Sequence, residues 1–278
     1  MNDRELLSVL VPAYNAESFI HETLDSIRNQ SFKRFRVYVS VDKSSDQTLA
    51  KCLDCAKLDS RFQVIESSSR LGWVENSNLL LSKINTPFAV FAFHDDILHP
   101  SYFEKTIKAL ETDKGAIVAY SDTLLTRVEG SKEHWAYLEL ENVENPVIRG
   151  IKILEQREKW WVPGRGVFRW SMAEKIKGFK THQSGEFSAD LPWIFHMSLY
   201  GSFVRIPETL CFKFLKPSSL SRSWDFNQIS RYDVLSSCMR ELWAADVATE
   251  IKLKIGSPLM NYLIKNYSAY KKYIDLKN

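Results

Sequence analysis

The sequence has no long hydrophobic run and little glycine or proline. No apolar run reaches the ~18 residues that a membrane-spanning helix needs, and the longest, LLSVLVPAY and PFAVFAF, end at polar residues. Ten Gly and nine Pro in 278 residues exclude collagen-like and low-complexity chains. The amino terminus, MNDREL, is acidic and polar, whereas a signal peptide is basic and then apolar. We therefore expect a cytoplasmic protein.

Cysteine is scarce as well, and its four copies do not form a recognisable metal motif. Cys52 and Cys55 make a CxxC within a helical pattern, but neither a second CxxC nor a nearby pair of histidines completes a zinc site. We predict that this pair packs within a helix rather than serving redox chemistry or metal binding.

The sequence also has no large excess of either basic or acidic residues. Thirty-seven Lys and Arg against 34 Asp and Glu give a net charge of +3, which does not indicate a nucleic-acid partner but permits an anionic ligand. A hydrophobic content of 45% is that of an ordinary globular protein.

Short β-branched runs alternate with helical patterns over the first hundred residues. This rhythm is typical of βα units on a parallel sheet. The predicted strands are Leu6–Val11, Phe35–Val41, Arg61–Glu66 and Pro87–Phe93, and the predicted helices are Ala16–Gln30, Ser45–Leu58, Val74–Ile84 and one opening at Pro100.

The second half of the chain is less regular. A strand is predicted at Ala116–Ser121, an irregular excursion at Leu124–Val147, a strand within Val162–Trp170 and a short helix near Ser171–Ile176. A helix follows at Asp190–Tyr200, and helical spacing returns from Asn227 onward. We interpret the chain as one continuous α/β domain with a helical tail.

Acidic residues follow several of the predicted strands, where open parallel sheets bind ligands. Asp42 opens a DxSxDxT pattern, in which Ser44 and Asp46 could cap the next helix while Asp42 has no capping task. Asp95 and Asp96 follow the most hydrophobic strand. Adjacent carboxylates repel each other, and a divalent cation with oxygen ligands relieves the repulsion; capping of the helix at Pro100 is the alternative.

Four features in this order resemble the family 2 glycosyltransferases of the GT-A fold. They are a strand ending in PxYN (Pro12–Asn15), the DxSxDxT pattern, Arg70-x-Gly72 followed by Asn78, and the acid pair before a Pro-led helix. A later block, GEFSADLPWIFHMSLYG, is similar to the acceptor-side acid motif of the family, so the resemblance covers about three quarters of the chain.

The resemblance implies an α/β fold with a mostly parallel sheet flanked by helices. The glycosyltransferase domain would span residues 1–223, with a nucleotide-binding half at 1–122, an acceptor half at 123–223 and a C-terminal helical extension at 224–278. It also implies Mn²⁺ or Mg²⁺ and a nucleotide-sugar donor, a UDP-sugar above all.

Individual roles carry over from the family motifs. Tyr14 would pack against the nucleotide base beside Pro12, Ala13, Asn15 and Asn78, while Asp42 and Arg70 would contact the base. Asp95 would touch the ribose or the metal, and Asp96 would be the principal metal ligand. Asp190 would be the catalytic base of an inverting transfer.

The chain departs from the family pattern at three positions. Phe93 and Val41 stand where the family commonly has Asp, and Ala189 stands where it often has Glu. Because of the last difference, Glu186, one helical turn before Asp190, is a rival candidate for the base.

The acceptor side is indicated by WWVPGRGVFRW at residues 160–170. Trp160 and Trp161 could stack on sugar rings or belong to the core. Arg165 and Arg169 alternate on the predicted strand and would share one face, in the cleft or in solvent. In the loop at 216–223, Arg222 is a candidate for binding the donor phosphates.

Three other functions remain to be weighed. A dinucleotide-dependent oxidoreductase and a nucleotidyltransferase would need a glycine-rich first loop, which VPAYNAESF lacks. A non-catalytic carbohydrate or nucleotide binder on the same fold is the alternative to the enzyme. The lysines of the tail suit a solvated face or loose attachment to an anionic membrane carrying lipid-linked glycan acceptors. We expect a glycosyltransferase of bacterial surface polysaccharide assembly.

Overall fold

The computed structural model describes residues 4–156, 158–217, 219, 222, 224 and 226–275, with side chains up to residue 272. One nine-stranded sheet runs through the described chain in the order β3-β2-β1-β4-β8-β6-β9-β5, and β7 pairs with β6. The strands are β1 (Leu7–Ala13), β2 (Phe35–Val41), β3 (Phe62–Glu66), β4 (Phe88–Phe91), β5 (Asp96–Leu98), β6 (Ala116–Thr126), β7 (Lys132–Trp135), β8 (Val167–Arg169) and β9 (Ser202–Phe214).

Helices cover the sheet and extend beyond it at the C-terminal end. They are α1 (Ile20–Arg28), α2 (Thr48–Leu58), α3 (Trp73–Leu81), α4 (Tyr102–Thr112), α5 (Pro146–Glu155), α6 (Trp170–Ala173), α7 (Asp190–Tyr200), α8 (Gln228–Ala244) and α9 (Thr249–Asp275). None of the described helices is long and apolar enough to cross a membrane.

The four N-terminal strands β3, β2, β1 and β4 are parallel, as the βα rhythm predicts. All seven residues of β1 are buried, because helices lie on both faces of the sheet there. Leu10 packs into one apolar layer, and its neighbours Val9 and Val11 pack into the other. The predicted α/β class, with a mostly parallel sheet, flanking helices and a helical tail, is confirmed.

The region predicted to be an irregular excursion is largely regular. Strand β6 continues to Thr126 and forms a hairpin with β7, and α5 begins at Pro146 with Asn145 as its N-cap. The sequence pattern is weak here because β7 has no buried residue and reads as a polar segment. The predicted boundary at residue 122 therefore falls inside a strand, and the boundary at 223 falls on a residue outside the described chain.

The predicted strand at residues 162–170 is also mostly wrong. Residues Pro163–Arg165 form a 3₁₀ turn, and only Val167–Arg169 pairs with neighbouring strands, in antiparallel fashion with β4 and β6. Arg165 and Arg169 consequently do not share a strand face. Arg169 binds the carbonyl oxygens of Leu110, Asp113 and Ala116.

The CxxC pair lies within α2, as predicted. Both thiols are buried and unbonded to each other, and burial raises the pKa of Cys52 to about 12 and that of Cys55 to about 11. Protonated buried thiols are poor nucleophiles and poor metal ligands, so helix packing is the role that their surroundings support.

Candidate active site

The carboxyl ends of β1, β2 and β4 open into a cavity of about 1400 Å³. Its wall also includes residues from the start of α7, from β9, from the 156–165 segment and from α8. Eleven of the residues singled out from the sequence contribute to this wall: Pro12, Ala13, Tyr14, Asp42, Arg70, Asp95, Trp160, Trp161, Arg165, Asp190 and Arg222.

At the end of the cavity near β1 and β2, the Arg70 guanidinium lies over the Tyr14 ring. Its guanidinium carbon is 3.5 Å from the ring centroid, and the same guanidinium is paired with the carboxylate of Asp42. Tyr14 keeps 37% of its surface exposed, so a planar ligand can still reach the aromatic side chain. The three residues form a rigid aromatic and cationic corner.

Asp42 has a structural task that the sequence did not reveal. Its carboxylate is fully buried and accepts the backbone N–H groups of Lys43, Leu71 and Gly72 at 2.8, 2.8 and 2.9 Å. The expectation that Asp42 has no local partners is therefore wrong, and the residue fixes the loop that carries Arg70. Its contact with a base remains a prediction.

Asn15 and Asn78, expected to bind the donor, are not part of the described cavity wall. Asn15 accepts the Ser45 N–H at 2.9 Å and joins two neighbouring loops. The Asn78 amide forms two hydrogen bonds with the backbone of Phe179, as donor at 3.0 Å and as acceptor at 2.8 Å. The Asn15 amide oxygen and the Asn78 amide bind the scaffold in this structure, and donor binding by either residue stays a prediction.

Asp95 and Asp96 differ in their surroundings. Asp95 lies on the cavity wall, 3.6 Å from Lys213 Nζ, whereas Asp96 lies behind that wall and accepts the Arg165 Nε–H at 2.5 Å. Burial raises the pKa of both carboxyls. For Asp95 the nearby Lys213 reverses that effect and lowers its pKa below the ordinary value, while the pKa of Asp96 stays raised. Neither acid caps α4, whose N-cap is Ser101.

Hard oxygen donors for a divalent cation are present at this pair. The Asp96 Oδ1 atom is buried without a hydrogen-bond partner, and Asp95 faces the cavity. No group of three or more acidic, His or Cys side chains among the described residues could enclose a metal. The pair therefore fits a cation only if substrate oxygens and water complete its shell. Of the two acids, Asp95 faces the cavity, and the role of Asp96 as principal metal ligand stays a prediction.

Asp190 is the first residue of α7, and its side chain lines the cavity wall. Nine of the eleven residues of α7 are buried, which fixes this end of the helix in place. Burial raises the pKa of Asp190, and Trp160 and Arg165 offset the rise only in part. Asp190 Oδ1 and Trp160 Nε1 are both buried, and neither makes a hydrogen bond to a third described group.

Glu186, the rival candidate for a base, is engaged elsewhere. Its carboxylate accepts the Val74 N–H at 2.9 Å at the start of α3, and its carbonyl accepts the Trp73 indole N–H at 3.0 Å. A Cβ on Gly72, whose φ is +86°, would lie 2.5 Å from Glu186 Oε1. The Glu186 carboxylate therefore caps the start of α3 and packs against Gly72. Glu186 is not among the described residues of the cavity wall.

The acceptor side of the cavity is aromatic. Trp160 and Trp161 line it together with Trp73, Trp224 and Phe187. Trp161 packs against Trp135 at 5.3 Å and beneath Arg165, so only part of it is available to a ligand. Arg165 is 8% exposed and held by Asp96, which makes it a positioning residue rather than a free acceptor contact.

Three wall residues were missed by sequence reasoning. Lys213 lies on β9, 117 residues after Asp96, and no sequence motif includes it. Asn76 leaves its buried Oδ1 without a partner at the wall, and Ser188 does the same with its Oγ. An unusual φ of +45° at Ser188 has no signal in the sequence. The loop at 216–223 lies partly outside the described residues, and Arg222 within it is exposed.

Comparison with known proteins places this geometry in a family. The model of the family described as Glycosyl transferase family 2 matches residues 8–165, more than half of the chain. The chain belongs to this family. Its cavity-wall residues from β1 to Arg165 lie within the matched region, while Asp190 and Lys213 lie beyond it.

Two relatives illustrate the similarity in sequence. An uncharacterized glycosyltransferase of Haemophilus influenzae is 36% identical over 111 residues, which are 40% of this chain and 34% of that protein. A UDP-Glc:alpha-D-GlcNAc-diphosphoundecaprenol beta-1,3-glucosyltransferase of Escherichia coli is 30% identical over 108 residues, 39% of this chain and 42% of that protein. The matched region thus spans only about a third of the first relative's length.

Two solved structures share the fold. TarS residues 1–349 of S. aureus, in complex with UDP-GlcNAc, superposes with a TM-score of 0.72 at 19% identity and covers 95% of this chain and 73% of that one. A mannosyltransferase of Pyrobaculum calidifontis, in complex with GDP-Man and Mn²⁺, gives 0.61 at 17% identity and covers 94% and 70%. The fold is therefore shared along nearly the whole chain.

Proposed function

We propose that this protein is an inverting, metal-dependent glycosyltransferase that moves a sugar from a UDP-sugar to a hydroxyl group of a glycan acceptor. The observation that carries the proposal is the convergence of Tyr14, Arg70, Asp95 and Asp190 on one cavity wall. A nucleotide corner, an acid pair and an isolated buried carboxylate are the parts that such a transfer requires.

The nucleotide would bind at the corner made by Tyr14, Arg70 and Asp42. Arg70 is already oriented by Asp42 and by the Tyr14 ring, so little conformational entropy is lost when a base stacks there. The diphosphate would lie toward Asp95, with the ammonium of Lys213 beside it. Arg222, which lines the same cavity, is the candidate for a further phosphate contact.

Asp95, with Asp96 Oδ1 behind it, would hold Mn²⁺ or Mg²⁺. When bound, the cation would offset the negative charge on the departing diphosphate. Support comes from Asp96 Oδ1, which has no hydrogen-bond partner and lies 3.8 Å from the Lys213 ammonium, and from the mannosyltransferase neighbour, whose complex contains Mn²⁺.

Asp190 would act as the general base. Its unpartnered Oδ1 would accept the proton of the acceptor hydroxyl as that oxygen forms a bond to the anomeric carbon and the bond to the diphosphate breaks. Attack from the face opposite the diphosphate inverts the anomeric centre. A raised pKa makes Asp190 a stronger base than an exposed aspartate.

The acceptor would be a growing glycan of a bacterial surface polysaccharide, free or linked to a lipid. The aromatic wall around Trp160 and Trp161 suits sugar rings. The E. coli relative, whose name specifies a diphosphoundecaprenol-linked acceptor, supports the lipid-linked class.

A binding experiment tests the donor half of the proposal. Calorimetric titration of UDP with and without Mn²⁺ should show tight binding only with the metal, and Asp95→Asn should abolish the metal-dependent part. Glu208→Gln, which changes an exposed acid on β9 outside the cavity wall, is the control and should bind as the wild type does. Binding of free oligosaccharide without any affinity for UDP would instead identify a carbohydrate-binding protein.

A further inference from the structure

The long helix α9 presents one apolar face to the core and another to solvent. Ile255, Leu259 and Leu263 are buried against the rest of the protein, and a Cβ added to Gly256 would lie within 4.0 Å of Leu242, Met239 and Trp243 of α8. These contacts account for one side of the helix only.

A neighbouring side, roughly 110° around the helix from the buried residues, carries an exposed apolar stripe of Leu253, Met260, Ile264 and Tyr267. These four side chains are 57, 44, 66 and 51% exposed. Their spacings of seven, four and three residues place them on one line along the helix. Large apolar side chains that are scattered singly need no explanation, but a continuous row of them does.

A row of lysines flanks the stripe. Lys254, Lys265 and Lys272 are exposed, and their spacings of eleven and seven residues align them on one side of the apolar line. Lys271 continues the end of the stripe itself. Among the described side chains of α9, Glu250 is the acid present, and it pairs with Lys254.

We infer that the stripe of α9 is a membrane-docking face that lies on the surface of an anionic bilayer. An apolar line inserts at the boundary between headgroups and acyl chains, and the flanking lysines contact lipid phosphates. A second copy of the chain is not the expected occupant, because two such faces would bring two rows of lysines together with few acidic side chains to neutralise them.

The inference goes beyond the proposed transfer reaction and does not depend on it. Docking requires only the stripe and the lysine row, neither of which belongs to the cavity wall. If both proposals hold, the enzyme works at the surface where a lipid-linked acceptor is embedded.

Vesicle co-sedimentation of the full chain tests the inference. Binding is expected to vesicles of phosphatidylcholine mixed with phosphatidylglycerol, to weaken with salt, and to be absent on phosphatidylcholine alone. The triple variant Lys254→Glu, Lys265→Glu and Lys272→Glu should lower the partition coefficient by roughly 100-fold or more, at about fivefold for each lysine. Met260→Ser, Ile264→Ser and Tyr267→Ser together should remove binding as well.

A matched control has the same change of charge at other exposed positions: Lys83→Glu, Lys108→Glu and Lys114→Glu. This control should bind anionic vesicles far better than the α9 lysine variant. Equal loss in the control, or no binding by the wild type, overturns the inference. So does a dimer in light scattering that the serine variant dissociates without any vesicle binding. UDP binding, measured on the same samples, reports on the proposed function separately.

Discussion

A half-buried carboxylate with one buried oxygen is expensive for a protein to keep, and Asp190 is one. Desolvation disfavours its ionised form, which is why its pKa is raised. The Asp42 carboxylate accepts three backbone N–H groups, whereas the neighbours of Asp190 offset the desolvation of its carboxyl only in part. The cost is understandable if the oxygen receives a proton during the reaction.

The pH dependence of transfer should report this carboxylate. We expect kcat/KM to rise with pH through an apparent pKa above the usual 3.8 of an aspartate, because only ionised Asp190 accepts the proton. The measurement is a pH profile at saturating metal with a fixed acceptor. A rate that stays flat from acidic to neutral pH would contradict the role of Asp190.

Replacement of Asp190 and of Glu186 should distinguish a catalytic role from a structural one. Asp190→Asn should lower kcat by roughly 10² to 10⁴ without lowering Tm, since the variant removes a charge that folding disfavours at neutral pH. Glu186→Gln keeps an acceptor for the Val74 N–H and should leave kcat within a few-fold of the wild type. Transfer rates and thermal melts of both variants decide the matter, and a collapse of kcat in Glu186→Gln alone would reverse the assignment.

At the scale of elements, the start of α3 joins the two sides of the cavity. The loop before it carries Arg70, the Val74 N–H donates to the Glu186 carboxylate, and Asn78 on the same helix binds the backbone at Phe179. The helix therefore connects the nucleotide corner to the segment that leads to Asp190.

Removal of the Asn78 amide tests whether this residue belongs to the scaffold. Asn78→Ala should lower the free energy of unfolding by about 1–3 kcal/mol, because a buried backbone pair loses its partners. The dissociation constant of UDP should stay within about threefold of the wild type. Chemical denaturation and calorimetry measure the two quantities. A stable variant that loses UDP affinity would restore Asn78 to the donor site.

The N-terminal strands could be predicted from sequence because their buried faces impose unmistakable β-branched runs, and β2 was predicted with its observed bounds. The site motifs also led to eleven residues of the cavity wall. The tasks of Asp42, Asn78 and Asp96 could not be predicted, since a sequence does not show which donors a folded chain brings to an oxygen. Lys213 and Asn76 were missed because they acquire meaning only through neighbours far along the chain.

At the scale of the molecule, the two expected halves share one sheet. Strand β8, at residues 167–169, lies between β4 and β6, and β9 pairs along almost the whole of β6. The family-model match ends at residue 165, just before β8. A division at residue 122 thus separates sequence motifs but not folding units.

A fragment of residues 4–126 should therefore fail to fold on its own. Without β8 and β9, strands β4 and β6 have exposed edges and the apolar layer beneath α7 is missing. Circular dichroism should show no cooperative thermal transition for the fragment under conditions in which the full chain melts sharply. A cooperative melt of the fragment would mean that the first half is an independent domain.

The contacts of Glu186 with Trp73 and Val74 also determine when, during translation, the start of α3 can acquire its hydrogen-bond partners. These partners are 113 and 112 residues apart, so at ~5–20 residues per second a ribosome takes roughly 5–20 s to supply the second after the first. During that interval the Trp73 indole N–H lacks the Glu186 carbonyl and the Val74 N–H lacks the Glu186 carboxylate. Nascent chains stalled before residue 186 should be the ones that chaperones hold longest.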